Sequence, residues 1–285
     1  MGSSTTSSSS VPKVSLIDHS SALKDFLAII NPSKTLYLDL EGTNLSRHGT
    51  LDLISVLIYP DPKVRIIDVK TLGNDAFTTP SRKDNKTTLQ SVFENKSIRK
   101  YLWDVRNDAD ALKSLHNVGL SGVIDLQLLE NMTRPGNSLF IMGLKQAIES
   151  DLDLSDQEKT NWVKCKRDIG TRLNSGALGL FSRRPLTSDI IQYCAGDVRY
   201  LPLLKKAYEE RCALTPDWLK RLKKASARRV QESHLPGYKP NGRSKRYGPW
   251  GANPASHFQK GRHLGRGLDS KVVSRVSSLI KAALP

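Results

Sequence analysis

Two carboxylates inside an apolar run, Asp39 and Glu41 in Thr35-Leu36-Tyr37-Leu38-Asp39-Leu40-Glu41, constrain this chain more than any other feature. The run has strand composition, and alternate residues of a strand share a face, so both acids point the same way. Paired carboxylates on a buried strand need a cation. A second acidic motif, Tyr193-Cys194-Ala195-Gly196-Asp197, sits in a helical pattern far downstream. Helix residues four apart are neighbours, so the Tyr193 phenol and the Asp197 carboxylate project toward a common point. A phenol beside a carboxylate suits the positioning of a water held by a metal.

A chain of 285 residues supports one sizeable core plus appendages. It contains no apolar stretch near the roughly 18 residues needed to span a bilayer and no apolar secretory core, so an intracellular, nuclear or cytoplasmic protein without a membrane partner is expected. Cys165, Cys194 and Cys212 show no C-x-x-C spacing, which argues against a disulfide framework or a structural zinc site. The six histidines show no metal-ligand spacing either.

The charge is unevenly placed. Of the formal net charge of +16, residues 220–285 carry +14, with 16 Lys and Arg against Glu232 and Asp269, which leaves +2 for residues 1–219. Gly and Pro punctuate that segment and aromatics interleave it, so it reads as a basic, largely irregular C-terminal extension over 216–285. Its expected partner is a polyanion: Lys and Arg attract phosphates and release counterions, while Tyr247, Trp250 and Phe258 stack on unpaired bases. At the other end, residues 1–13 form a Ser/Thr-rich, disordered tract.

Between these tails, strands and helices alternate. A helix is expected over 20–30, then strands over 35–41, 51–59 and 63–69, the last three making an antiparallel meander. After a polar loop over 73–87 come a helix over 88–98, a strand over 100–105 and a helix over 108–118. The strand-to-helix junction carries Asp104, Asp108 and Asp110, and ligands usually sit at the C-terminal edge of such strands. Helices follow over 126–132, 138–149, 156–166, 188–193 and 198–214. The fold class is α/β, a mixed β-sheet flanked by helices.

Taken together, Asp39-x-Glu41 in the first core strand, Gly49-Thr50-Leu51-Asp52-Leu53-Ile54 leading into the second, Asp125-Leu126-Gln127, and Arg184-Pro185-Leu186 ahead of Tyr193-x-x-x-Asp197 resemble the RNase D-like 3′–5′ exonuclease family of the DEDDy class. The similarity spans about residues 14–215. Asp104-Val105-Arg106-Asn107-Asp108 is similar to the subgroup containing Egalitarian-like and exonuclease-domain-containing proteins. The resemblance implies a ribonuclease H-like fold and a hydrolase that removes nucleotides from a single-stranded 3′ end, RNA favoured over DNA.

It also implies catalytic residues Asp39, Glu41, Asp108, Tyr193 and Asp197, with the four carboxylates holding two Mg²⁺ or Mn²⁺ ions roughly 3.5–4 Å apart. Tyr193 orients the attacking water, since a phenol with a pKa near 10 is a poor base at neutral pH. For the second motif, counting forward from Lys100 selects Asp108 and counting back from Gly119 selects Asp110. Asp108 is preferred, because a strand register holds a side chain more rigidly than a helix length does. At the positions where many members carry His or Asn just before this Asp stand Trp103 and Asp104. Asp104 and the unselected Asp are expected to be a helix cap and a solvated carboxylate. Asn44, Arg47, Arg183 and Arg184 are candidates for nucleotide or phosphate contacts. The alternative reading is a weak or inactive exonuclease-like domain acting as a nucleic-acid-binding adaptor, with the basic extension supplying affinity.

Overall fold

The computed structural model describes residues 13–175, 179–212 and 214–251. Among these, the strands are β1 (Val14–Ile17), β2 (Thr35–Glu41), β3 (Leu53–Tyr59), β4 (Val64–Asp68), β5 (Arg99–Leu102) and β6 (Val123–Asp125). They form one mixed sheet in the order β1-β4-β3-β2-β5-β6. The expected meander is its antiparallel centre, β2 against β3 and β3 against β4, while β1, β5 and β6 join in parallel. β1 and β6 are additions to the expected set. Both are too short to show a period of their own and become strands by pairing with β4 and β5.

The helices are α1 (Ser20–Ala28), α2 (Val69–Leu72), α3 (Asp75–Thr78), α4 (Leu89–Glu94), α5 (Arg106–His116), α6 (Leu126–Thr133), α7 (Leu144–Asp151), α8 (Asp156–Asn174), α9 (Ser188–Arg199), α10 (Leu201–Arg211) and α11 (Pro216–Ser233). They cover both faces, and the pleat of the sheet sorts side chains between two cores. Leu36, Leu38 and Leu40 of β2 enter one core with Ile54, Val56 and Ile58 of β3, beneath α1, α4 and α5. Tyr37 enters the other with Leu53 and Leu57, beneath α6, α9 and α10. Asp39 and Glu41 fall on that second face by the same alternation, which is the face α9 crosses.

Lys100, fully buried in β5, donates to the carbonyls of Asn95, Ile98 and Ser121 and so locks the start of its strand to both neighbouring turns. Burial pulls its pKa down to about 7.

Helix boundaries differ from expectation where tertiary contacts intervene. α7 begins at Leu144 rather than 138, because the Asn131 side chain donates to the carbonyls of Ser138 and Phe140 and holds that stretch irregular. α8 runs on to Asn174. The largest difference lies in the basic extension. Its first part, Pro216–Ser233, is the 18-residue helix α11, with Leu222, Ala225, Ser226, Arg229, Val230 and Ser233 buried on one face. That spacing is the three-and-four repeat of an amphipathic helix, hidden in the sequence by the Lys and Arg of the opposite face.

Residues 234–251 then return across the domain as a strap. Arg47 donates to the carbonyls of Ser233 and Pro236. The Ile141 amide donates to the Arg246 carbonyl and the Gly248 amide to the Leu139 carbonyl. An added Cβ at Gly248 would lie 2.1 Å from Asn131 Oδ1, so any larger residue there would have to displace the Asn131 amide. The Ser/Thr-rich tract expected to be disordered, Lys13 excepted, lies outside the described residues, as does everything beyond Gly251, Phe258 included. No helix among the described residues is long and apolar enough to cross a membrane.

Candidate active site

The site opens where the sheet splits. β5 pairs with β2 only from Thr35↔Arg99 to Tyr37↔Tyr101, so the C-terminal half of β2 has no neighbour on that side. Asp39 and Glu41 occupy that half, and α9 closes over them with Tyr193 and Asp197 on its inner face. Asp39, Glu41 and Asp197 each offer a carboxylate oxygen, and these atoms all lie within 4.8 Å of one another. Two carboxylates of β2 and a third from α9, far downstream, thus meet at one point.

Asp108 comes from the first turn of α5, is almost fully buried, and lies outside that closest group. It is within electrostatic reach of that group: burial and then the charge of Asp39 push the Asp108 carboxyl well above the usual range. Asp110 points elsewhere. It is fully buried and paired with Arg47, accepting from Nε at 2.7 Å and from the Arg47 amide at 2.8 Å. The solvated carboxylate expected of the unselected Asp is therefore a buried ion pair, because the loop after β2 folds back onto α5. Asp104 is not a helix cap either. It adopts φ +59° and pairs with Arg106 through Nε at 2.5 Å and Nη2 at 2.7 Å.

Asp125, the last residue of β6, holds the β5-to-α5 junction in place. It accepts from the amides of Asp104 and Val105, each at 3.1 Å, and from that of Gln127 at 3.0 Å. Arg229 of α11 neutralises it at 2.6 Å. The chain of interactions from α11 through Asp125 therefore sets where Asp108 starts.

The loop between β2 and β3 is equally tight. The Thr50 amide donates to the Thr43 carbonyl and the Asp52 amide to the Glu41 carbonyl. A Cβ on Gly42 would lie 2.0 Å from the Thr50 carbonyl oxygen, and one on Gly49 2.1 Å from that of Thr43. Both clashes are with backbone, which cannot rotate away. Gly49→Ala is expected to lower the melting temperature by several degrees, about 1–3 kcal/mol of overpacking strain. Calorimetry on the purified variant checks this, and an unchanged transition would show that the loop can shift.

The electrostatics are those of like charges kept out of water. The Asp39 carboxyl is pushed up to about 7 by burial and then by Asp197. Glu41 is raised by burial and by Asp39, and Asp197 by burial against the opposing pull of Lys166. The Lys166 ammonium, carried in by α8, contacts the Asp197 carboxylate and lies 3.7 Å from the centroid of the Tyr193 ring. Burial works against that charge, yet Asp197, Tyr193 and Glu41 together raise its pKa. Burial, Glu41 and Asp197 raise the Tyr193 phenol, so it stays protonated near neutrality.

The donor set fits a hard divalent cation. Asp39 Oδ2 and Asp197 Oδ1 are buried without a hydrogen-bond partner, an arrangement that costs free energy unless a positive charge meets them. Carboxylate oxygens are the ligands that Mg²⁺ and Mn²⁺ take.

Other candidates have structural tasks. Arg184 forms a two-pronged pair with Asp68 and donates to the carbonyls of Phe181 and Arg183, which anchors the segment before α9. Arg47 is occupied as described. Arg183 and Asn44 are exposed. Asn44, at φ +50°, lines a cleft of about 680 Å³ with His48, Asn107 and Tyr238. Trp250 is an anchor rather than a free stacking ring: its indole packs edge-on against Trp218 and donates to the Leu128 carbonyl. Lys166 escaped sequence reasoning, since nothing in Lys164-Cys165-Lys166-Arg167 separates one cation from the rest, and the motif around Asp125 did not show that this residue braces the β5-to-α5 junction.

A family model described as 3′-5′ exonuclease matches residues 14–212. Among solved structures, Trypanosoma brucei RNase D superposes with a TM-score of 0.64 at 23% identity, covering 87% of this chain and 80% of that one. Its complex with RNA U12 gives 0.60 at 19% identity, covering 92% and 78%. Brucella melitensis NrnC with bound Mg²⁺ gives 0.51 at 17% identity, covering 78% and 92%. At these identities the likeness is one of fold. No curated protein matches the chain.

Proposed function

The chain belongs to the 3′-5′ exonuclease family and is RNase D-like in fold, and from that premise we propose that it removes nucleotides from the 3′ end of single-stranded nucleic acid, RNA in preference, with two Mg²⁺ or Mn²⁺ ions. The observation that carries this reading is the convergence of Asp39, Glu41 and Asp197 beside the Tyr193 phenol, with Asp108 within electrostatic reach of Glu41. Support for the cation comes from the Mg²⁺ bound by B. melitensis NrnC, and for the substrate from the U12 bound by T. brucei RNase D.

Asp39, Glu41, Asp108 and Asp197 would hold the ions. When bound, divalent cations neutralise charge building on the phosphorus, activate a water and stabilise the leaving 3′ oxygen. The protein's own groups do the rest. Tyr193, protonated and wedged beneath Lys166, positions the attacking water by hydrogen bond rather than by taking its proton. The tight Gly42–Thr50 loop and the Asp125-braced junction hold Glu41 and Asp108 in fixed positions, which supplies orientation before substrate arrives.

A 3′-hydroxyl oligonucleotide incubated with purified protein and Mg²⁺ or Mn²⁺ should shorten stepwise and release mononucleotides, while a 3′-phosphate end should resist. Tight binding without shortening would select the adaptor reading, which the ammonium of Lys166 already seated against Asp197 favours. Cation binding has its own readout. Ligation needs ionised carboxylates, and Asp39 titrates at about 7, so Mn²⁺ should raise the melting temperature more at pH 8 than at pH 5. Equal shifts at both values would remove Asp39 from the ligand set.

A further inference from the structure

The strap beyond the family match encloses a second cavity that nothing in the exonuclease chemistry explains. It has a volume of about 500 Å³ and lies between α11 and residues 237–249. Arg106, Arg228, Arg229, Lys239, Arg243 and Lys245 line it, against Glu232 as the acid. Arg106, Arg228 and Arg229 are paired with Asp104, Glu232 and Asp125. Lys245 is spent on Asn107, Tyr238 and the Pro240 carbonyl. Lys239 and Arg243 are exposed and have no acidic partner among the described residues. The cavity therefore presents two exposed cations without a carboxylate partner among the described residues.

Two parts of its lining are informative. Tyr238, Lys239 and Gly242 also line the cleft that contains Asn44 and Asn107, the latter adjacent to Asp108. Tyr247, which lines the cavity as well, is tilted against Phe140 with ring centroids 5.3 Å apart. These rings are 44% and 45% exposed, too open for a packing role, and the Arg246 guanidinium lies 5.1 Å and 5.8 Å from their centroids. An exposed aromatic pair with a guanidinium beside it is a surface on which unpaired bases stack.

We infer that the strap forms an approach path for a single-stranded nucleic acid whose 3′ end lies in the acidic site: bases stack on Phe140 and Tyr247, phosphates cross Lys239 and Arg243, and the chain turns past Tyr238 into the cleft. This rests on the exonuclease reading for its direction, but its binding test does not need cleavage. The path favours long substrates over short ones, because a dinucleotide ends before it reaches the cations.

The test compares a twelve-nucleotide single strand, as RNA and as DNA, with a dinucleotide, by fluorescence anisotropy with Ca²⁺ in place of Mg²⁺. The double variant Lys239→Glu/Arg243→Glu should lower the ratio of twelve-mer to dinucleotide affinity about tenfold and reduce the salt slope for the twelve-mer by about 1.4, roughly 0.7 for each phosphate no longer neutralised. Tyr247→Ser should lower the same ratio without changing the salt slope. Lys239→Arg/Arg243→Lys should retain it. An unchanged ratio in the charge-reversed protein, with a melting curve like the parent's, would overturn the path. Failure of the parent protein to shorten any substrate with Mg²⁺ would overturn the exonuclease reading alone, and the two failures are read in separate assays.

Discussion

Asp39→Asn is expected to lower nucleotide removal by orders of magnitude and, in metal-free buffer, to make the protein more stable. Both effects have one cause. The Asp39 side chain is half-buried, lies within reach of Glu41 and Asp197, and has one oxygen that is out of contact with water and without a hydrogen-bond partner. Its pKa rises from 3.8 to about 7 on folding, so the folded protein binds this proton where the unfolded chain has released it. The contribution of the protonated group is fully present below pH 3.8 and is lost as pH rises through about 7. Above that the folded protein carries the whole cost of the buried charge.

Asparagine keeps the shape and removes the charge. The gain at pH 8 should be on the order of 3 kcal/mol, roughly 6–12 °C for a domain of this size, and should vanish near pH 4. Mn²⁺ should stabilise the variant less than the parent. Nucleotide removal should fall by roughly 10²–10³, the span seen when one group stabilising transition-state charge is removed. Melting curves in chelator at the two pH values, beside an oligonucleotide assay, decide the matter. Identical melting temperatures at pH 8 would mean that the charge is not buried as described, and retained activity would remove Asp39 from the site.

Adjacent arginines on α11 should behave in opposite ways. Arg229 is buried and donates to Asp125 at 2.6 Å and to Gln127 at 2.9 Å. Arg229→Ala would leave Asp125, fully buried, without its countercharge, a loss worth about 3–5 kcal/mol. Stabilities of about 5–15 kcal/mol are typical, so much of the folded state is at risk. Because Asp125 also accepts the amides of Asp104 and Val105, the junction that carries Asp108 should loosen, and activity should drop even where the variant remains folded. Arg228 is exposed and among the described residues pairs only with Glu232 one turn on, so Arg228→Ala should shift stability by no more than about 0.5 kcal/mol. Equal melting temperatures for the two variants would show that α11 is an appendage after all.

Those two arginines also mark where sequence reasoning stopped. In Arg228-Arg229 nothing local says which is core, and the Lys and Arg around them made the whole segment look like a solvated tail. The buried face of α11 exists because β6 and α5 offer it an apolar surface, and both are assembled from residues about a hundred positions upstream. Asp108 and Asp110 present the same difficulty on one helix. Two positions apart, they meet different groups: Arg47 from the loop after β2 takes Asp110, while the charge of Asp39 reaches Asp108.

The sequence by itself determined what depends on backbone periodicity: the shared face of Asp39 and Glu41, the shared face of Tyr193 and Asp197, the antiparallel meander and the α/β class. Periods of two and of about 3.6 residues are properties of a few consecutive peptides and need no partner to be read. Tertiary structure alone decided what depends on a second element arriving: the edge strands β1 and β6, the burial of α11, the seat of Lys166 against Asp197, and the strap beside the acidic cleft. Each of these is held by interactions between segments far apart in the chain, and a charged side chain has no fixed role until folding supplies, or withholds, its counterion and its water.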